Sequence, residues 1–130
     1  MIEITQKYIE KLLTLISSCP VSFNNVLHKN LPASGGVYRI FEDSSDWSKT
    51  VYIGSTKNLR ERIYRNLFMG NPEVHTLRRK LISAGFTKVG AVERYLKSNC
   101  RIQYLKISNE RERKLFEHFA ISISKPKYND

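Results

Sequence analysis

The stretches Gly36-Val37-Tyr38-Arg39-Ile40-Phe41 and Thr50-Val51-Tyr52-Ile53-Gly54 decide the fold. Both are rich in β-branched and aromatic residues, which favour a pleated, half-buried surface, so each reads as a strand. Gly35-Gly36 opens the first, and the polar run Asp43-Ser44-Ser45-Asp46 closes it. A polar segment this short cannot carry a parallel crossover. An antiparallel hairpin with a long loop is therefore the expected connection.

Working outward, Gly54-Ser55-Thr56 leads to Asn58, a candidate N-cap, and Leu59, Ile63 and Leu67 recur every four residues. That spacing predicts a helix. Asn71-Pro72 reads as a cap followed by proline at the first helical position, with Val74, Leu77, Leu81 and Ile82 continuing at helical spacing to Ala84-Gly85. A further short helix is expected over Val89 to Leu96, and Arg101 to Ile107 partly alternates as a third strand. Ser108 or Asn109 with Glu112 resembles a capping arrangement opening a helix through Leu115, Phe116, Phe119, Ala120 and Ile123, which Lys125-Pro126 closes. Before the hairpin, Ile4, Tyr8, Leu12, Leu15 and Ile16 predict an amphipathic helix ended by Pro20. Val21 to Leu31 reads as a helical turn or loop. The expectation is one α/β domain of the α+β type, with a small antiparallel three-stranded sheet flanked by helices and an extra N-terminal helix.

Composition bounds the function. With 130 residues the chain matches one ordinary domain, and 41% hydrophobic content provides a core. Twenty-two Lys and Arg against 12 acidic residues give a formal charge of +10, which points to a polyanionic partner. No stretch approaches the roughly 18 consecutive apolar residues of a membrane span. Met1 leads into Ile2-Glu3-Ile4 rather than a basic run before an apolar block, so a cytoplasmic chain without membrane partners is expected. Cys19 and Cys100 lack the spacing of a zinc site or redox motif and read as two reduced thiols.

Gly36-Val37-Tyr38 and Tyr52-Ile53-Gly54 on paired strands, followed by Asn58-Leu59-Arg60-Glu61-Arg62 on a helix, resemble the GIY-YIG nuclease family. Asn109-Glu110-Arg111-Glu112 before Glu117, and the closing Lys125-Pro126-Lys127-Tyr128-Asn129, strengthen the likeness. Among its members the chain looks most like the nuclease domain of bacterial excision-repair incision proteins, whose first motif also follows a Leu-Pro such as Leu31-Pro32. The likeness covers about Leu31 to Asn129, which divides the chain into an N-terminal helical extension, 1–30, and a nuclease domain, 31–130. It implies catalytic roles for Tyr38, Tyr52, Arg62 and Glu117, with Glu117 binding the metal, and it matches the terminal asparagine to Asn129. Two positions depart from the family pattern. Val37 replaces isoleucine, and Asn66 stands where members often carry a tyrosine or histidine that helps organise the site. Tyr64 and the later His75 are the candidates to stand in.

The chemistry fits these residue types. Phosphodiester hydrolysis needs a deprotonated water, charge stabilisation on the phosphate and help for the leaving oxygen. Arg62 supplies a forked, permanently charged donor. Glu117 is one carboxylate able to hold a hard divalent ion, Mg2+ or Mn2+, whose other ligands would be water and phosphate. Tyr52 would act as base only with a lowered pKa, for which Arg62, Lys57 or the metal provides charge, and Tyr38 would orient the water or Tyr52. Each residue also has a plainer reading. Strand tyrosines are common, Arg62 could be a solvated helix charge, and Glu117 could pair with Arg113 one turn earlier.

For nucleic-acid contact the candidates are Lys57, Arg60, Arg65, His75, Arg78, Arg79 and Asn129, with Lys80 beside them. An ordinary solvated surface is the alternative for the cations, surface packing for His75, and backbone satisfaction for Asn129. No helix-turn-helix, zinc finger or ribonucleoprotein signature is present, so base-specific reading is not expected. The function expected is a divalent-metal-dependent endonuclease acting on DNA, with a separate DNA-targeting protein as a candidate partner. The rival is a non-catalytic nucleic-acid-binding module on the same fold.

Overall fold

Gly36 starts strand β2, Gly36–Asp43, and a Cβ there would meet the Leu105 carbonyl oxygen at 2.4 Å and Leu59 Cδ1 at 2.9 Å. Only glycine lets the central strand run that close to its neighbours. The computed structural model describes residues 2–24, 27–43, 48–70 and 75–129. β2 pairs antiparallel with β3, Ser48–Thr56, on one side and with β4, Cys100–Lys106, on the other. A bulge between Ile40 and Phe41 breaks the hairpin register. It allows the consecutive residues Val51 and Tyr52 to enter the same core.

The sheet has four strands, in the order β1-β4-β2-β3, rather than the three expected. The addition is β1, Val21–Ser22, whose two residues pair with Ile102 and Arg101 and are too short to show alternation in sequence. Of the remaining stretch read as turn or loop, Leu27–Asn30 forms the short helix α2. Ser44–Trp47 of the hairpin loop, and the Asn71-Pro72 cap with Glu73 and Val74, lie outside the described residues.

Two cores sandwich the sheet. One face carries Tyr38, Ile40 and Tyr52 against a π-helix, Arg60–Phe68, and α4, Ala91–Asn99. The helix α3, Thr76–Ser83, adds Leu77 and Leu81 to that core. The other face carries Val37 and Ile53 against Leu15 of α1, Ile2–Ser17, and Phe116 and Ala120 of α5, Glu110–Ser124. Asn109 caps α5 by accepting from Glu112 N, as the sequence suggests. Asn58 Oδ1 accepts from Glu61 N before the π-helix. The four-residue spacing of Leu59, Ile63 and Leu67 does not distinguish a π-helix from an α-helix, and all three are fully buried. No helix of the described residues is long and apolar enough to cross a membrane. Cys19 and Cys100 are both free, and burial pushes the Cys100 thiol up to about 12.

Candidate active site

Tyr38 and Gly54 face each other across β2 and β3. A Cβ on Gly54 would lie 2.6 Å from both Cζ and Oη of Tyr38, so the glycine is the space in which the phenol lies. The Tyr38 hydroxyl is thereby fixed at the face of the hairpin, where Tyr52 is its neighbour at a ring-centroid separation of 6.2 Å. His75, immediately before α3, closes a triangle of rings at 6.1 Å from Tyr38 and 5.5 Å from Tyr52. Its Nε2 lies 2.7 Å from Tyr38 Oη, and its Nδ1 accepts from Leu77 N at 3.0 Å.

Burial sets the electrostatics of this cluster. Tyr38 is 1% exposed, and desolvation drives its pKa far above the ordinary tyrosine value. Neighbouring Tyr52 adds to that rise, while the charge and hydrogen bond of Arg62 oppose it. Glu117 is close enough to add a smaller upward push. Desolvation, followed by the positive charges of Arg62, Arg79 and Arg78, lowers His75 to about 3. Both groups are neutral at pH 7.

Arg62 arrives on the π-helix, whose wide turn is closed by Met69 N donating to Tyr64 O. Glu117 arrives from α5, one turn beyond buried Arg113. Ser55 Oγ donates to Glu117 Oε1 at 2.7 Å and orients the carboxylate at the end of β3. Glu117 does not pair with Arg113 here: the Arg113 guanidinium donates instead to the carbonyls of Ile107 and Ser108. A cavity of about 640 Å³ is lined by Ser55, Lys57, Glu110, Arg113 and Lys114 among others.

No family model matches the chain. It is 31% identical over 101 residues to the UvrABC system protein C of Helicobacter pylori strain P12, and 27% identical over the same length to that of Campylobacter jejuni. These alignments cover 78% of this chain and 15% of each relative, so the chain spans a small part of the curated proteins it matches. In structure it is similar to the GIY-YIG N-terminal endonuclease domain of UvrC from Thermotoga maritima. A tyrosine-to-phenylalanine variant of that domain, bound to its catalytic divalent cation, superposes with a TM-score of 0.51 at 23% identity, covering 82% of this chain and 98% of the domain. A second such variant gives 0.52 at 22% identity with the same coverage. The fold is that of a GIY-YIG domain.

Within this fold, the hairpin, the π-helix and α5 bring Tyr52, Arg62 and Glu117 near Tyr38. Of the nucleic-acid candidates, Lys57, Arg60, Arg65 and Arg79 are exposed, with the Arg60 guanidinium donating to Leu31 O. Three other candidates have partners within the protein. Arg78 is buried, holds Leu67 O at 2.8 Å and pairs with Glu93. It sits three residues before buried Leu81, on the inward face of α3, where phosphate cannot reach. His75 is fully buried, because its ring caps α3 and fills the space between the two tyrosines, so it neither packs at the surface nor meets phosphate. Asn129 uses its carboxamide on β3 itself, accepting from Ile53 N and donating to Ile53 O, both at 2.8 Å. Ser55 was missed by sequence reasoning. A serine directly after the second motif glycine reads as a turn residue, and only the approach of α5 reveals its partner.

Proposed function

We propose that this GIY-YIG domain is a divalent-metal-dependent endonuclease acting on DNA. The observation that carries the reading is the convergence of a buried neutral phenol, a second phenol, an arginine and an oriented carboxylate beside an exposed basic surface. Arg62 binds and neutralises the scissile phosphate. Tyr52, 8% exposed where Tyr38 is 1%, is the phenol that reaches water, and we assign it to accept the proton of the attacking nucleophile. Tyr38, held neutral, orients that water or Tyr52 through its hydroxyl.

The donor set fits a hard, weakly chelated ion. Among the described residues no cluster of three or more His, Cys, Asp or Glu could hold a metal, whereas Glu117 presents one carboxylate fixed by Ser55. One carboxylate, with water and substrate oxygens completing the shell, is what Mg2+ accepts and Mn2+ can share. The bound ion would supply Lewis-acid stabilisation of charge on the phosphate. Lys57, Arg60, Arg65 and Arg79 would follow the backbone without reading bases. A basic domain without a recognition element suits a separate DNA-targeting protein as partner and the cytoplasm as location. Residues 1–30 act in this reading as an added layer on a nuclease domain that begins at residue 31.

The test is incubation of the purified protein with supercoiled plasmid and with branched DNA, in Mg2+ and in chelator. Nicked product only with metal, lost in Glu117→Gln, is the expected result. Metal-independent cleavage, or equal cleavage by Glu117→Gln, overturns the assignment. DNA binding without any cleavage would indicate the non-catalytic module instead.

A further inference from the structure

His75 occupies a place that neither surface packing nor phosphate contact explains. It lies outside the two motifs and the arginine-bearing helix, is fully buried, and touches Tyr38 through one ring nitrogen and the α3 backbone through the other. The two contacts together fix its chemistry. A backbone N–H can only donate, so Nδ1, which accepts from Leu77 N, carries no proton. A neutral imidazole has one proton, which must therefore sit on Nε2 and be donated to Tyr38 Oη. The Arg62 guanidinium is close enough for its charge to act on the same hydroxyl. With Nε2–H aimed at the phenol oxygen, the Tyr38 proton cannot go to His75 and is left to be donated elsewhere.

We propose that His75 is a positioning residue: the start of α3 locks it in the Nε2–H tautomer, and it thereby forces the Tyr38 hydroxyl to act as a hydrogen-bond donor toward the reacting groups. This deepens the nuclease reading and rests on it for the kinetic part of its test. It also accounts for Asn66, because the ring contact to the tyrosine pair comes from a different element of the chain. Proton transfer from Tyr38 to His75 is excluded by the same geometry, since the facing nitrogen already bears a proton.

Two substitutions separate the contacts. In His75→Asn the amide oxygen can replace Nδ1 as the cap of α3, but nothing reaches Tyr38. In His75→Gln the amide nitrogen can replace Nε2 as the donor, while the cap is weakened. The expected result is that His75→Asn keeps the thermal midpoint closer to the parent but loses kcat by at least tenfold at little-changed KM. His75→Gln recovers most of that rate despite a lower midpoint. In a Tyr38→Phe background His75→Asn should cost no further rate. A merely structural role predicts the reverse, with activity following the midpoint in both variants and additive losses in the double mutant, and that outcome overturns the proposal. A second readout needs no activity. Side-chain 15N spectra of the whole chain should show His75 with a protonated Nε2 and a bare Nδ1, unchanged between pH 5 and 8. A protonated Nδ1 sinks the proposal even if the protein cleaves DNA. Absence of cleavage by the parent with the expected tautomer would instead remove the nuclease reading while leaving the locked hydrogen bond standing.

Discussion

Tyr38 and Arg39 are consecutive in β2, point to opposite faces of the sheet and are both buried polar residues, yet their networks end differently. Arg39 donates to Thr50 Oγ1 at 2.8 Å and Gln103 Oε1 at 2.6 Å and lies 4.5 Å over the Phe41 ring. Gln103 passes its own amide protons to the carbonyls of Ile16 and Ser18, at the end of α1. Every one of these partners belongs to the scaffold, and the network anchors the added N-terminal helix to the sheet. The Tyr38 network runs through His75 to the start of α3, while the charges of Arg62 and Glu117, both only half-buried, act on the phenol. A buried polar group hydrogen-bonded on all sides by scaffold specifies a fold. One that leads to half-buried charges is arranged for a substrate.

The sharpest way to break this comparison is to cut each network at its far end. Glu117→Ala should reduce cleavage by more than about 10³-fold, since the carboxylate proposed to hold the metal is gone, while leaving DNA affinity measurable through the basic residues. Tyr52→Phe should fall by about 10²- to 10⁴-fold, the usual range for general acid-base catalysis, with an unchanged melting temperature. Tyr95→Phe is the control. That hydroxyl donates to Glu42 Oε1 at 2.8 Å, far from the site, so its loss should affect stability and not rate. Rates measured on folded protein and melting curves on the same samples decide the matter, and a fully active Tyr52→Phe would assign the base to another group. Gln103→Ala should show the opposite signature. It strands Arg39 and two helix-end carbonyls, costing about 3 kcal/mol in denaturant titrations while leaving cleavage per folded molecule intact.

The same contrast explains how far the sequence could be read. Alternation and β-branched content make Val37 to Phe41 and Thr50 to Ile53 legible as a hairpin, because a strand pattern needs only the chain's own neighbours. The two motif tyrosines, Arg62 and Glu117 are singled out together by the resemblance to the GIY-YIG family, whose motif order they match. What was not legible depends on contacts between elements. β1 is two residues of pairing to β4, and the π-helix shares its apolar spacing with an α-helix. Arg78 belongs to a run of three cations whose facing cannot be assigned until α3 has a start, although its spacing to Leu81 was a usable signal. His75 and Ser55 gain their partners only when α3 and α5 dock, so sequence spacing carries no trace of either.

Acid should separate the two networks further. His75 is lowered by burial, then by nearby arginines, to about 3, against 6.5 when unfolded. Between these values the unfolded chain binds a proton that the folded one does not. The contribution is fully present above pH 6.5 and is lost as pH falls from there toward 3, with a slope of at most about 1.4 kcal/mol per unit from this residue. Denaturant titrations of the parent and of His75→Asn across that window should differ in slope, because asparagine does not titrate. Parallel curves would mean that folded His75 takes up its proton across that window as readily as the unfolded residue, which the Nδ1 contact to Leu77 N opposes.

The smallest effect expected is at Asn129, which lies where the tail meets the open edge of β3. Lys127 N donates to Thr50 O at 3.3 Å and Tyr128 N to Val51 O at 2.9 Å, and the Asn129 carboxamide then takes both backbone groups of Ile53. The side chain thus copies a paired strand residue, covering an edge that would otherwise present unpaired donors and acceptors. Because Ile53 lies between Tyr52 and Gly54, this clamp fixes the second tyrosine motif from behind without touching substrate. Asn129→Ala should therefore cost about 1 kcal/mol of stability, the net value of a hydrogen bond or two at a half-buried site, and only a few-fold in rate. The salt dependence of DNA binding should be unchanged, whereas Arg65→Ala should lower the log-log slope by about 0.9 if it meets a duplex phosphate. An Asn129→Ala protein of parental stability but weakened DNA affinity would restore the asparagine to the nucleic-acid surface and remove it from the scaffold.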